Sequence, residues 1–453
     1  MPSILRGRSN TDLLQDVSVA GAATIWILDL TTSTGGLHNR HTAVFALALL
    51  LPLGVLQAWR HVPRVLLALV GMTSAGAATV LLTSDVGALQ ADSPAAQLVG
   101  LLALVVTTVY ARTPARRRAV VGVLVAAAAL QFFQAWFPWW GSGSPDTLLV
   151  GTFYWHNQVA AYLGALALVA GASAVFGGGA LQRWSIVVAP VGAAGVVLST
   201  GRSALALLVL GLITLGLLAV TRPRRLLPAL LLPVLTAGVV LGLTSGVFFA
   251  GDDYSGPPVT STPNAPAPIA GSRGSDSFAS NGSDRLRWSA AALQGFADAP
   301  LTGHGFGSFA ATSAPLLPVG ATRSAFVHNG YAEALTSGGL LFGGPLLALC
   351  GLLAVRALQG VRAGGPERGV LVGCSLATLF LLGHSLVDFD WHYPSLVVLL
   401  GVTGGVVLST RPPRRTVRPA VAVTVLLLTV AVVVGGSLAE HEYRSGVQAA
   451  ATS

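Results

Sequence analysis

The residues that could do chemistry lie in a few short polar segments of an otherwise apolar chain. His328 is the strongest candidate for a general base, because an imidazole can accept a proton near neutral pH. Asn329 follows it directly and Glu333 lies about one helical turn further on, so both are candidates for orienting it. His304, in the sequence GHGFG, is a secondary candidate, since the turn glycines around it matter more than its side chain.

Three arginines are candidates for binding an anion. Arg202 lies at the start of a predicted helix, where its guanidinium and the free backbone N–H groups point the same way. Arg285 and Arg287 begin another predicted helix, and two cations at a helix N-terminus are unfavourable unless an anion is near. The alternatives are that Arg202 extends to lipid headgroups and that Asp284 pairs with one of the other two arginines.

Two further segments contain carboxylates, histidines and amides. The sequence GHSLVDFDWHYP contains His384, Asp388, Asp390 and His392, and the sequence YWHNQ contains Asn157 and Gln158. Histidine and aspartate can bind a metal, but we favour orienting a catalytic group or hydrogen-bonding a sugar. We therefore predict no metal site and no cofactor.

The composition indicates which elements position these residues. The chain has 453 residues, a mean hydropathy of +0.72 and only 9% charged residues, whereas soluble domains carry about 25%. At about 20 residues for each crossing, the apolar runs predict an all-α integral membrane protein with 12 or 13 transmembrane helices. The predicted helices are residues 17–33, 41–59, 63–82, 95–111, 119–138, 156–176, 184–200, 203–221, 226–249, 331–355, 369–387, 393–410 and 419–438.

The arginines indicate the orientation in the membrane. All 26 basic residues are arginine, and 19 of them fall in loops on one side if the N-terminus is cytoplasmic. Because these arginines separate helices instead of clustering on a soluble face, the net charge of +9 does not indicate nucleic-acid binding. All the candidate residues then share the extracytoplasmic side of a multi-pass protein of the cytoplasmic membrane.

A long polar segment divides the predicted helices into two groups. We expect N-terminal transmembrane helices in residues 1–249, an extracytoplasmic loop at 250–327, C-terminal transmembrane helices at 328–438 and a short extracytoplasmic tail at 439–453. The first part of the loop is rich in Pro, Gly and Ser, which favours an extended or flexible chain. A loop helix is predicted from the spacing of Leu286, Ala290, Leu293 and Ala297, with Ser283 or Asp284 as its N-cap and Pro300 ending it.

Several of these segments, in this order, resemble motifs of the O-antigen ligase and polymerase superfamily of bacterial membrane glycosyltransferases. The similar segments are GTFYWHNQVAAYL, LSTGRSALALL, RLRWSAAALQGFADAPLTGHGFGSF, HNGYAEALTSGGLLFG and GHSLVDFDWHYP. The resemblance implies a GT-C-type fold and an inverting, metal-independent transfer of glycan from an undecaprenyl-pyrophosphate donor to an acceptor hydroxyl. It also implies that His328 is the essential histidine and that Arg202, with Arg285 or Arg287, binds the pyrophosphate.

The acceptor remains open at this stage. A ligase would use a foreign glycan or lipid acceptor and a polymerase another lipid-linked repeat, and the motifs do not separate the two. The alternative from another class is a membrane transporter of a small solute or anion. The predicted helices contain almost no ionisable residue apart from Asp29, which weakens the transport hypothesis.

Overall fold

The structure is a computed structural model and describes residues 10–32, 47–48, 50–53, 59–84, 92–141, 148–153, 155–220, 233–234, 236, 238, 278–318, 321–410 and 417–452. These residues form helices and turns, with no strand among them. The helices are α1 Asn10–Thr32, α2 Arg64–Thr83, α3 Asp92–Tyr110, α4 Pro114–Gly141, α5 His156–Phe176, α6 Gly179–Leu198, α7 Arg202–Ala219, α8 Phe278–Asp298, α9 Phe309–Ser313, α10 Gly330–Val361, α11 Arg368–His384, α12 Pro394–Leu408 and α13 Pro419–Thr452. A 3₁₀ turn, Asp390–His392, joins α11 to α12.

Among the described helices, seven are long and apolar enough to cross a membrane: α2, α4, α5, α6, α7, α10 and the Pro419–Gly436 part of α13. Three shorter apolar helices, within α3, α11 and α12, accompany them. The prediction of an all-α integral membrane protein is therefore confirmed. Most of the predicted helices 41–59 and 226–249, and residues 250–277 of the predicted loop, lie outside the described residues.

Helix α5 is the centre of the bundle. Every residue from Asn157 to Phe176 is buried, as expected for a helix that is apolar on all sides. Small residues let its neighbours approach closely. A Cβ atom added at Gly192 of α6 would lie 3.0 Å from Ala167, and one added at Gly373 of α11 would lie 3.0 Å from the Val169 backbone.

The two ends of the bundle differ in chemistry. At the end that we call the site end, the first turn of α7 contacts the last turn of α11, with Ser203 Oγ 3.1 Å from His384 Nε2. At the opposite, basic end, Arg368 donates to Leu218 O and its guanidinium lies 4.2 Å from the Phe176 ring centroid. Arg117 of α4 also pairs there with Glu367, just before α11.

Helix α10 is broken at Gly339, where φ is 56° and ψ is −160°. The break interrupts the helical hydrogen bonds on both sides of it, and a glycine-rich turn, residues 300–305, pairs with the backbone groups near it. Four bonds of 2.8–3.0 Å join them: His304 N to Thr336 O, Gly305 N to Ser337 O, Leu340 N to Pro300 O and Leu341 N to Leu301 O. A broken helix at membrane depth is stable only when its backbone groups are paired in this way.

The loop helix α8 begins earlier than predicted. It starts at Phe278, so the prediction of an N-cap at Ser283 or Asp284 is wrong, and Arg285 is well inside the helix. The apolar spacing that indicated the helix begins only at Leu286, and the polar residues before it carry no such signal. The predicted end is confirmed, since α8 stops at Asp298, two residues before Pro300.

We expect Gly339→Ala to destabilise the protein. A side chain at this combination of φ and ψ, which is essentially restricted to glycine, costs roughly 1–3 kcal/mol, and the added Cβ would overlap Leu301 O. Gly351→Ala is the matched control, because Gly351 lies in the same helix with no atom within 4 Å of an added Cβ. Thermal unfolding of the two purified variants should give a lower midpoint for Gly339→Ala alone. Equal midpoints would contradict the role assigned to the break.

Candidate active site

Asp388, between α11 and the 3₁₀ turn, is fully buried and lies at the centre of the polar residues of the site end. Asn157 Nδ2 donates to its Oδ2 at 2.9 Å, and Gln158 Nε2 donates to its Oδ1 at 3.1 Å. The backbone N–H of Phe389 donates to Oδ1 at 2.9 Å. Three donors to a carboxylate satisfy its charged form, because an ionised carboxylate accepts hydrogen bonds and donates none.

Two basic side chains also approach Asp388. Arg285 Nη2 lies 3.6 Å from Asp388 Oδ2, and His328 Nδ1 lies 3.5 Å from Asp388 Oδ1. Burial alone would raise the pKa of Asp388, but the nearby positive charges of His328, Arg285 and His384 lower this pKa below its usual range. Asp388 is therefore negatively charged at neutral pH. A hydrogen bond from Arg285 Nη1 to Val387 O, 2.6 Å long, also holds Arg285 in place.

His328 is held between two aromatic rings in a strained backbone conformation. The indole of Trp288 stacks on its imidazole with centroids 5.0 Å apart, and the ring of Phe389 meets it edge-on at 4.8 Å. The φ of His328 is 57°, in the left-handed region that residues other than glycine rarely adopt. Strain of this kind persists only where the surroundings impose it, and it is concentrated at functional sites.

Asn329 and Glu333, the predicted companions of His328, have other partners in the structure. Asn329 caps α10, since its Oδ1 accepts from the backbone N–H groups of Tyr331 and Ala332 at 3.1 Å each. The Glu333 carboxylate lies 2.6 Å from His392 Nε2. Asn329 therefore fixes the start of α10 immediately after His328, and Glu333 ties α10 to the 3₁₀ turn.

A second buried network lies beside Asp388. His384 Nδ1 is 2.8 Å from Asp390 Oδ2, and its Nε2 is 3.1 Å from Ser203 Oγ. Ser385 Oγ also donates to Asp390 Oδ2, at 3.2 Å. The network joins α7, α11 and the 3₁₀ turn across more than 180 residues of sequence.

This network and a close helix contact place Arg202 at the site end. It is the first residue of α7, and the next residue, Ser203, contacts His384. The preceding residue, Gly201, packs on α5 so closely that an added Cβ would lie 2.4 Å from Ala160 Cβ and 3.8 Å from Asn157 Oδ1. The backbone on both sides of Arg202 is therefore fixed beside the residues that surround Asp388.

Arg287 and His304 lie apart from Asp388. Arg287 is half exposed and donates to Asp284 Oδ1 at 3.1 Å, three residues earlier on α8. His304 Nε2 lies 2.8 Å from Gly295 O, so it ties the glycine-rich turn to α8. Within the described part of the chain, no three histidine, cysteine or acidic side chains are grouped to hold a metal ion.

Three residues that contact this site, Trp288, Phe389 and Ser203, are not among the predicted site residues. Trp288 lies one helical turn after Arg285, and this i,i+3 spacing could have predicted that the two share one face of α8. No local pattern indicates Phe389 or Ser203, because each meets its partner only after distant segments have packed. Phe389 contacts His328 from 61 positions further along the chain.

The fold and this site define a multi-pass, all-α membrane protein in which a histidine and an arginine meet a buried carboxylate at one end of the bundle. Residues 185–348 match the model of a family described as O-antigen ligase. The match supports the predicted resemblance to the O-antigen ligase and polymerase superfamily, and with it a glycan-transfer function of that type. No curated protein matches the chain. The matched segment includes Arg202, Arg285 and His328, whereas Asn157 and Asp388 lie outside it.

We expect Asp388→Asn to destabilise the protein in a pH-dependent way. The pKa of Asp388 is lower in the folded protein than in the unfolded chain. The charge of Asp388 therefore stabilises the fold above the ordinary aspartate pKa of about 3.9. This stabilisation is lost as the pH falls from there through the pKa of the folded protein. Loss of one hydrogen bond to a charged group costs about 1.5–3 kcal/mol. The unfolding midpoint of the variant should therefore lie below that of the wild type at pH 7, and the difference should shrink below about pH 4.

Asp298→Asn is the control for this measurement, because Asp298 is an exposed carboxylate at the end of α8. Its midpoint should follow that of the wild type at every pH. A constant difference between Asp388→Asn and the wild type from pH 8 to pH 3 would contradict an ionised Asp388.

Proposed function

We propose that the protein transfers or polymerises a glycan from an undecaprenyl-pyrophosphate donor onto an acceptor hydroxyl. The observation that carries this proposal is the position of His328 between the buried carboxylate of Asp388 and the stacked ring of Trp288, with Arg285 bound to the same carboxylate. This combination supplies a base, a group that orients it and a cation for a phosphate leaving group. The family match over residues 185–348 supports the same type of reaction.

His328 is the general base in this proposal. Its Nδ1 lies 3.5 Å from Asp388 Oδ1, an ion-pair distance that is long for a hydrogen bond. With the proton on Nδ1, beside the carboxylate, Nε2 carries the lone pair that takes the proton of the acceptor hydroxyl. The negative charge of Asp388 then stabilises the imidazolium that forms, as a carboxylate does for the histidine of a hydrolase triad. The aromatic contacts with Trp288 and Phe389 hold the ring at a fixed angle.

The transfer is a single displacement. The acceptor oxygen forms a bond to the anomeric carbon of the donor sugar while the bond from that carbon to the phosphate oxygen breaks. The acceptor's proton goes to His328 Nε2, and the lipid pyrophosphate leaves with the bonding electrons. Attack from the face opposite the leaving group inverts the anomeric configuration, and the arginines provide the charge stabilisation without a metal ion.

Arg202 and Arg285 are the proposed pyrophosphate ligands. Arg285 contacts Val387 O through Nη1 and Asp388 through Nη2. Because a guanidinium has five N–H donors, further donors remain for a phosphate oxygen. Arg287 is less suitable, because it pairs with Asp284 and is half exposed. Arg202 adds its charge at the start of α7, where the first backbone N–H groups of the helix also favour an anion.

We propose that the site end faces the outside of the cytoplasmic membrane. Arg117 and Arg368 lie at the basic end, and loops rich in arginine favour the cytoplasmic side. Residues 250–327 are then an external loop, and residues 439–453 an external tail. The donor would be reached in the outer leaflet of the bilayer.

We expect Arg285→Ala and Arg202→Ala to reduce glycan transfer roughly 10²–10³-fold, which is the usual effect of removing one donor that stabilises transition-state charge. Arg287→Ala is the matched control from the same helix and should retain activity close to the wild type. The measurement is in vitro transfer from a lipid-linked glycan, with product size resolved on gels. Equal losses for Arg285→Ala and Arg287→Ala would exclude the assignment of Arg285.

We expect His328→Asn to reduce transfer about 10²–10⁴-fold, the usual contribution of a general base, without a matching loss of stability. Asparagine, like histidine, tolerates positive φ, so the variant loses mainly the aromatic contacts, worth about 0.5–1.5 kcal/mol for each ring pair. Transfer rates and unfolding midpoints should be measured on the same preparations.

Two outcomes would contradict the proposed mechanism. Full activity of His328→Asn would exclude His328 as the base, and loss of wild-type activity in EDTA would exclude metal independence. Uptake of a small anion by proteoliposomes that contain no lipid-linked donor would instead support the transporter hypothesis.

A further inference from the structure

The loop helix α8 has an apolar stripe on the side that faces away from the site. Trp288, Ala291 and Ala292 are buried in a small core with residues near the start of α10. On the opposite side, Leu286 is 73% exposed and Leu293 is 53% exposed. Ala290 and Ala297 are exposed on the same line, because residues three and four apart share one face of a helix. The apolar spacing that predicted this helix therefore marks its outer face.

A polar flank lies beside the apolar stripe. Arg287, Gln294 and Asp298 are all exposed, and helical geometry places them roughly 90° around the helix from the stripe. An apolar stripe with a charged flank is typical of helices that lie in the plane of a membrane interface. A helix fully surrounded by water would have little reason to carry two exposed leucines in line.

The end of α8 lies beside an exposed apolar surface of α10. Leu301, just after α8, is 63% exposed, and its carbonyl accepts from Leu341 N at 3.0 Å. Leu340 and Leu341 are themselves exposed on α10, which is long and apolar enough to cross the membrane. The backbone bonds at the α10 break therefore hold the end of α8 beside a lipid-facing surface.

We infer that α8 lies in the bilayer interface at the site end, with the Leu286–Ala290–Leu293–Ala297 stripe in contact with the acyl chains. An interfacial helix buries its apolar face about 5–10 Å into the boundary between headgroups and chains. Its polar flank then faces the headgroups and water. Arg285 and Trp288, which reach Asp388 and His328 from the same helix, are consequently held at the depth of the lipid headgroups.

Spin labels on single cysteines test this inference in the full chain. Cys350 and Cys374, both buried, are replaced by alanine, and Leu286→Cys and Leu293→Cys are labelled in lipid nanodiscs. Gln294→Cys and Asp298→Cys, on the polar flank of the same helix, are the matched controls. Collision with oxygen, which concentrates in acyl chains, is compared with collision with a water-soluble nickel chelate.

The oxygen-to-nickel collision ratio should be several-fold higher at Leu286→Cys and Leu293→Cys than at the two control positions. Equal, nickel-dominated ratios at all four positions would overturn the inference in favour of a helix in water. Shielding of the stripe labels from both reagents would overturn it in favour of a protein partner, either another segment or a second copy. None of these collision measurements depends on glycan transfer, so the inference and the proposed function can fail independently.

Discussion

The buried negative charge of Asp388 is the interaction on which the arrangement of the site depends. A carboxylate removed from water is stable only if the protein supplies donors and positive charge around it. Asp388 obtains them from the first turn of α5, from α8 and from His328, two residues before α10. Because these elements are far apart in the chain, a single buried charge determines how three of them meet.

The break in α10 is the second constraint. It leaves backbone groups that lipid cannot satisfy, and the glycine-rich turn that pairs with them follows α8 directly. Thr336 Oγ1 also donates to Ala292 O, which joins the broken segment to the middle of α8. The requirement to pair backbone groups thus fixes the helix that carries Arg285, and Asn329 fixes His328 at the start of α10.

Helix α8, held by these contacts, has three different faces. One packs through Trp288 and Ala292 on the start of α10, a second carries Arg287 and Gln294, and a third exposes Leu286 and Leu293. A helix held in this way at a bilayer surface would keep the guanidinium of Arg285 level with lipid headgroups. That is also the depth at which the pyrophosphate of a lipid-linked donor would lie.

Sequence alone determined most of the helices, and it predicted several of the residues that the structure brings together around Asp388. Hydropathy and charge act over about 20 neighbouring residues, so most limits of the described helices lie within a few residues of the predicted ones. The larger differences are at the starts of α1, α4, α6 and α8 and at the ends of α10 and α13, and the short helix α9 was not predicted. Only the tertiary structure decided which side chains meet. Glu333 pairs with His392 instead of His328, Arg285 and not Arg287 reaches Asp388, and Ser203 meets His384. These partnerships join segments up to 231 residues apart, and no local pattern of polarity encodes the packing that brings such segments together.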